Sequence, residues 1–178
     1  LISVRNPDNT KWVPPLGEPI FLFYPSHKAM PLNWTIKHFS ELSTSELYTI
    51  MRLRQEVFVV EQNCPYQDAD DKDQASYHLA GYDNKNKVAA YARVLPAGLS
   101  FDEVSIGRVI TSKEARRNGS GKELMQMCFQ FIELTYGRVP VRIGAQSYLI
   151  RFYSKLDFKV ASEEYLEDNI PHVEMLRS

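Results

Sequence analysis

Arg116, Arg117, Asn118, Gly119, Ser120, Gly121 and Lys122 have the types and order to hold an anion. They follow a strand-like run, Val104 to Thr111, and open a strongly helical one. Glycine lets a backbone take positive φ and come close to a ligand. The first helical turn behind it offers unpaired N–H groups and the positive end of the helix dipole. Phosphate is the anion that suits such a cradle; a plain glycine turn capping a helix is the alternative. A nucleotide P-loop does not fit. The position five before Gly121 is Arg116 rather than glycine, and Glu123 after Lys122 brings no hydroxyl for magnesium. The dinucleotide pattern G-x-G-x-x-G fails as well, because Leu124 stands where its third glycine belongs. What remains is R-x-x-G-x-G, carried by Arg116, Gly119 and Gly121.

Other reactive types are scattered. Cys64 precedes a proline and follows no evident helix N-terminus that would activate a thiolate, so pairing with His78 as a nucleophile is disfavoured. Cys64, His78 and Cys128 lack the spacing of a zinc site. The acidic run Asp68, Asp70, Asp71 and Asp73 lacks the glycine and terminal glutamate of a calcium loop. It reads as a solvated loop that could attract a cationic amine if it borders a cleft. No metal is expected.

The elements that must position these residues follow from patterning. Asn33 to Phe39 alternates like a strand. Ser43 to Glu46 forms a capping box, with Leu47, Ile50, Met51 and Phe58 following at helical spacing. Ser76 to Tyr82 and Lys87 to Leu95 read as strands joined by the turn Asp83-Asn84-Lys85-Asn86, and Glu103 to Thr111 as a further strand. Gly121 to Thr135 is a helix burying Leu124, Cys128, Phe131 and Ile132. Val139 to Ala145 is a strand, Tyr148 to Leu156 a short helix, and Phe158 to Ala161 and His172 to Leu176 two last strands. The result is a mixed α/β domain over residues 33–178, with helices on a central sheet. Residues 1–32 hold six of the ten prolines and a greasy Phe21-Leu22-Phe23-Tyr24 run, which implies an extended proline-rich arm docked on the domain or a partner.

A chain of 178 residues with 44% hydrophobic content can bury a real core as one domain. Its net charge of −1 offers no footprint for nucleic acid or an anionic membrane, and no apolar run reaches a membrane span. Leu1 to Thr10 lack a signal-peptide core, and the two cysteines form no C-x-x-C pair; a reduced, cytoplasmic setting is expected.

The R-x-x-G-x-G loop between strand and helix resembles the pyrophosphate loop of the GCN5-related N-acetyltransferases (GNAT), which bind acetyl-CoA. The run Leu149 to Phe158 resembles that family's closing motif, with Asp157 in place of its usual glycine. Leu53 to Asp68, Ile106-Gly107-Arg108-Val109, Gly144-Ala145-Gln146 and Ile170-Pro171-His172 are similar to the ElaA-like branch; the resemblance spans roughly residues 46 to 177. It implies a GNAT-like central mixed, mostly antiparallel sheet flanked by helices, and direct acetyl transfer to a primary amine in a ternary complex. The amine would be on a small molecule or a peptide. The cofactor contacts it implies are Val109, Ile110 and Thr111, the loop Arg116 to Lys122, and Gln146 and Phe152. Its general acid falls on Tyr153. For the base that takes the amine's proton, Glu103 and His78 are the leading candidates, with Glu61, His172 and Glu174 behind them. Dimers are common in the family, and the Phe21 to Tyr24 run is a candidate contact for a homodimer. Two other readings are an idle acyl-CoA-binding regulatory module and an acyl-homoserine-lactone synthase-like enzyme.

Overall fold

The computed structural model describes residues 31–178. In chain order these form β1 (Asn33–His38), α1 (Thr44–Arg54), β2 (Tyr77–Tyr82), β3 (Val88–Leu95) and β4 (Val104–Thr111). There follow α2 (Ser120–Tyr136), β5 (Val141–Gln146), α3 (Ile150–Ser154), β6 (Lys159–Val160), β7 (Tyr165–Glu167) and β8 (Ile170–Arg177). The mixed sheet runs β1-β2-β3-β4-β5-β8-β6, with β7 also pairing β8. Among the described strands β4 and β5 make the sole parallel pair. A parallel pair needs a crossover, and α2 supplies it.

Local chemistry accounts for the boundaries. The Ser43 hydroxyl accepts the Glu46 N–H at 3.2 Å while the Glu46 carboxylate accepts the Ser43 N–H at 2.9 Å, so both orphan donors at the start of α1 are met. At the other end of the chain α3 closes on Asp157, whose φ is 67°. The Phe158 N–H returns to the Tyr153 carbonyl (3.2 Å) and the Asp157 N–H to that of Ser154 (3.3 Å). This is a Schellman closure built on aspartate instead of glycine. Inside α2, Leu124, Met125, Met127, Cys128, Phe131 and Ile132 are buried against Leu79, Ala92, Ile106, Ile143 and Met175 of the sheet. Ile50, Leu53 and Val57 cover the other face over Ala80, Tyr91 and Ile110.

Four expectations change. The helix expected to run on to Phe58 widens after Arg54 into a π-helical segment, Gln55–Glu61. Widened turns of this kind are frequent at functional sites. The strand β7 was not expected; it is joined to β8 by Asp168 and Asn169, both at positive φ (49° and 62°). Leu32, assigned to the arm, is buried in the core, while residues 1–30, including Phe21 to Tyr24, lie outside the described residues.

The largest change concerns the acidic run: Asp71 is exposed as expected, but Asp68, Asp70 and Asp73 are drawn into ion pairs. Arg54 donates to Asp68 and Asp73 (2.7 Å each), and Arg93 to Asp73 (2.8 Å) and Asp70 (2.6 Å). Arg108 completes the ring with Asp70 (3.2 Å) and Asp68 (2.6 Å). Three arginines and three aspartates thus alternate in a closed circuit. Arg54 and Arg93 are almost wholly buried, and burial of such charges is tolerable only because each finds opposite partners.

Candidate active site

A cleft of about 1180 Å³ runs along β4 and β5 from the glycine loop to the β7–β8 hairpin. Its origin is the way the two strands part. They pair at Val104↔Val141 and Ser105↔Arg142, and no further register is kept. Beyond that point β4 carries a bulge. Pairing with β3 steps from Arg93↔Gly107 to Tyr91↔Ile110, so Ala92 alone faces both Arg108 and Val109. Arg108 takes φ 54° there, and a bulge bends and twists its strand. Its guanidinium, tied to Asp68 and Asp70 and lying over the Phe58 and Tyr66 rings (5.9 and 6.0 Å), fixes the bend. The arginine–aspartate ring is therefore the foundation of the cleft.

At one end lies the glycine loop. Gly119 sits at the α2 N-cap with φ 85°. The first helical hydrogen bonds come from the Lys122 and Glu123 N–H groups, both to the Gly119 carbonyl (3.0 and 3.1 Å). That leaves the N–H groups of Gly119 and Gly121, which line the cleft, for a ligand, while Lys122 contributes none. A Cβ at Gly119 would meet no heavy atom within 4 Å, and one at Gly121 only Phe152 Cζ at 3.8 Å. The protein does not crowd either glycine, so the space beside them is open to a phosphate. Trp34 Nε1 donates to the buried Glu123 carboxylate (3.0 Å) and anchors the first turn of α2 to β1.

The loop's side chains divide. Arg116 donates to Glu61 (2.6 Å) and to the Thr111 carbonyl (3.2 Å), and Asn118 to the Glu114 carbonyl (3.2 Å). These brace the loop. Arg117, at φ 64°, and Lys122 have no ion pair among the described residues and line the cleft. Val109, Ile110, Thr111, Gln146 and Phe152 line it too, whereas Asn118 and the buried Ser120 do not. Gln146 also donates to Gln62 (3.1 Å), which ties the end of β5 to the π-helical segment.

Tyr153 borders the same cleft from the α2 side, only 5% exposed and packed against Phe152 and Phe158. Burial, and then the neighbouring Tyr148 and Cys128, push its phenol well above the usual range. The hydroxyl therefore keeps its proton at neutral pH, and no hydrogen bond among the described residues occupies it. Desolvation would equally raise the proton affinity of a thiolate formed beside it, as it does for the fully buried Cys128 thiol.

Two expected bases are misplaced. His78 is 1% exposed, away from the cleft, with Nδ1 on the Tyr91 hydroxyl (2.7 Å) and Nε2 on the Asp73 carbonyl (3.0 Å). Burial drives its pKa down, and both nitrogens are in use. Glu103 lies outside the cleft lining and grips Arg142 with both oxygens (2.6 and 2.8 Å). That hydrogen bond holds its carboxyl below the usual range. Both are withdrawn as bases.

Arg108, the most informative residue that sequence reasoning missed as a site builder, carried one signal: it sits in a strand between residues already singled out. Cys64 and Cys128 are both free thiols, and no group of three metal-ligating side chains gathers among the described residues. No helix there is long and apolar enough to cross a membrane.

The parted parallel strands, the glycine loop and the buried tyrosine thus meet in one cleft of a mixed sheet. The model of the acetyltransferase (GNAT) domain matches residues 41–178, and the chain belongs to that family. The ElaA protein of Escherichia coli is 42% identical over 148 residues, which is 82% of this chain and 96% of that protein. Its crystal structure superposes with a TM-score of 0.77 at 41% identity, covering 83% of this chain and 99% of that one. An acyl-CoA N-acyltransferase from Pseudomonas aeruginosa superposes with a TM-score of 0.79 at 41% identity, over 83% and 99% of the two chains. An aminoglycoside 6′-N-acetyltransferase complexed with coenzyme A shares the fold, with a TM-score of 0.60 at 14% identity over 80% and 95%. Within its family the chain is an ElaA-like member with an N-acyltransferase fold.

Proposed function

We propose that this chain moves the acetyl group of acetyl-CoA to a primary amine, by direct attack in a ternary complex. The observation that carries this reading is the single cleft joining the open N–H groups of Gly119 and Gly121 with the buried, protonated Tyr153. The pyrophosphate would lie on those amides, with Arg117 and Lys122 adding charge. The pantetheine arm would pair with the free edge of β4 at Val109 to Thr111, where parting from β5 leaves strand edge for a ligand. An amide of Val109 or Ile110 would then stabilise the developing oxyanion.

The chemistry balances as follows. The amine nitrogen bonds to the thioester carbonyl carbon, and the C–S bond breaks. The thiolate leaves with the proton of Tyr153. A thiol with a pKa of about 8.5 is a better leaving group once protonated, and a phenol is a suitable donor.

Calorimetric titration of the protein with acetyl-CoA, beside ATP and NAD, tests the first half. Micromolar binding of acetyl-CoA alone is expected, and its absence overturns the reading. Release of free CoA across a panel of primary amines tests the second half. Binding without turnover on any amine would favour an acyl-CoA-binding module, and methylthioadenosine from S-adenosylmethionine a lactone synthase.

A further inference from the structure

An ammonium acceptor must lose a proton before it can attack, and the site described above has an acid but no base. We infer that His172 is that base, acting through Nε2. The inference rests on the N-acetyltransferase reading and adds a residue to it.

The tautomer is set by the backbone. His172 Nδ1 lies 2.8 Å from the Ile170 carbonyl oxygen. A carbonyl can only accept, so Nδ1 carries the hydrogen and Nε2 presents a lone pair. Nε2 has no partner among the described residues, and His172 lines the cleft. The ring plane is set too. Tyr165, directly opposite on β7, stacks on His172 with centroids 6.0 Å apart and planes at 26°. The Tyr165 hydroxyl reaches over β5 to Gly144, where a Cβ would come within 3.3 Å of it. Glycine at 144 thus makes room for the tyrosine that orients the imidazole.

Placement favours the role. Ala145 and Val173 are buried in the core on the α2 side. Their neighbours Gln146 and His172, paired across β5 and β8, therefore point to the opposite face. Tyr153 reaches the cleft from the α2 side. Acid and base so reach the cleft from opposite faces of the sheet, which leaves one beside the sulfur and the other free for the amine nitrogen. Of the other carboxylates weighed for the role, Glu61 pairs with Arg116 (2.6 Å) and Glu174 with Arg142 (2.8 Å); Glu167 and Asp168 also line the cleft, but neither has its lone pair aimed by a backbone contact as His172 does. One ammonium proton passes to Nε2 and on to water. A second leaves as the amide forms and, through water, restores the phenol of Tyr153.

His172→Gln, Tyr165→Ala and the unaltered protein would be compared with acetyl-CoA and two acceptors: benzylamine, an ammonium at neutral pH, and methoxyamine, which is neutral there. For His172→Gln, kcat with benzylamine should fall by about 10²-fold or more, with methoxyamine turnover and acetyl-CoA affinity nearly unchanged. Tyr165→Ala should shift the same ratio in the same direction by less. Equal losses on both acceptors, or none, overturn the inference while leaving the transferase reading intact. If the unaltered protein acetylates neither of these nor any amine of the panel, both the inference and the transferase reading fall. Nitrogen NMR of the free protein gives an independent check: a hydrogen on Nδ1 of His172 is expected, and a hydrogen on Nε2 overturns the assignment.

Discussion

Tyr153 shows how surroundings hold the proton on one side chain. It is buried among aromatic rings, yet it borders the cleft. Burial penalises the phenolate, so the proton stays; in the proposed reaction it would pass to the departing thiolate. Tyr153→Phe keeps the packing and removes the proton. It should lower kcat by roughly 10²-fold or more while acetyl-CoA affinity, read by calorimetry, stays nearly the same. An unchanged kcat would take Tyr153 out of the mechanism. Arg54, Arg93 and Arg108 mark the limit of reading by residue. Their aspartate partners lie between 14 and 40 positions away, and no spacing rule joins them. The acidic run was visible as a run; its neutralisation was not.

At the scale of elements, β4, its loop and α2 were legible because each is specified locally. A strand period, two glycines and a helical apolar stripe need no distant partner to be recognised. The Schellman closure after α3 was legible for the same reason, although aspartate holds the position that favours glycine. Its φ of 67° costs a residue with a Cβ more than it costs glycine. Asp157→Gly should therefore stabilise the fold by about 0.5–1 kcal/mol, read from the shift in urea midpoint at unchanged slope. A loss of stability would show that the aspartate side chain holds something the turn needs. The π-helical segment and β7 escaped detection. The first differs from an α-helix by one residue per turn in bonding, and its sequence keeps the apolar spacing. The second is three residues long with little burial to pattern it.

The molecule as a whole carries its charge unevenly. A net charge of −1 conceals a circuit of three arginines and three aspartates at the base of the cleft. Burial alone would raise the carboxyls of Asp70 and Asp73. Hydrogen bonds and charge from Arg93 with Arg108, and from Arg54 with Arg93, outweigh that and hold both below the usual range. A carboxyl whose folded pKa lies below its unfolded one stabilises fully above the unfolded value, about 3.9 for aspartate, and less as pH falls beneath it. Stability should thus be flat from neutral pH down to about pH 5 and drop steeply below about pH 4. Because the ring holds the bulge at Arg108, acetyl-CoA binding should weaken in step. Acid titrations followed by circular dichroism and by calorimetry check both. Stability unchanged down to pH 2 would show that the circuit contributes little.

The amino-acid order by itself determined the glycine loop, the elements on either side of it and the family, and it singled out Tyr153 as a candidate. Each of these is written in contiguous residues, where backbone geometry and period leave few alternatives. The tertiary structure decided what depends on distance through space. It placed His78 and Glu103 outside the cleft with their polar atoms occupied, and drew three aspartates of an acidic loop into a largely buried ring. It also brought His172 to the cleft with one nitrogen unpartnered among the described residues. A side chain's chemistry is set by the atoms around it, and those come from strands and loops far apart along the chain.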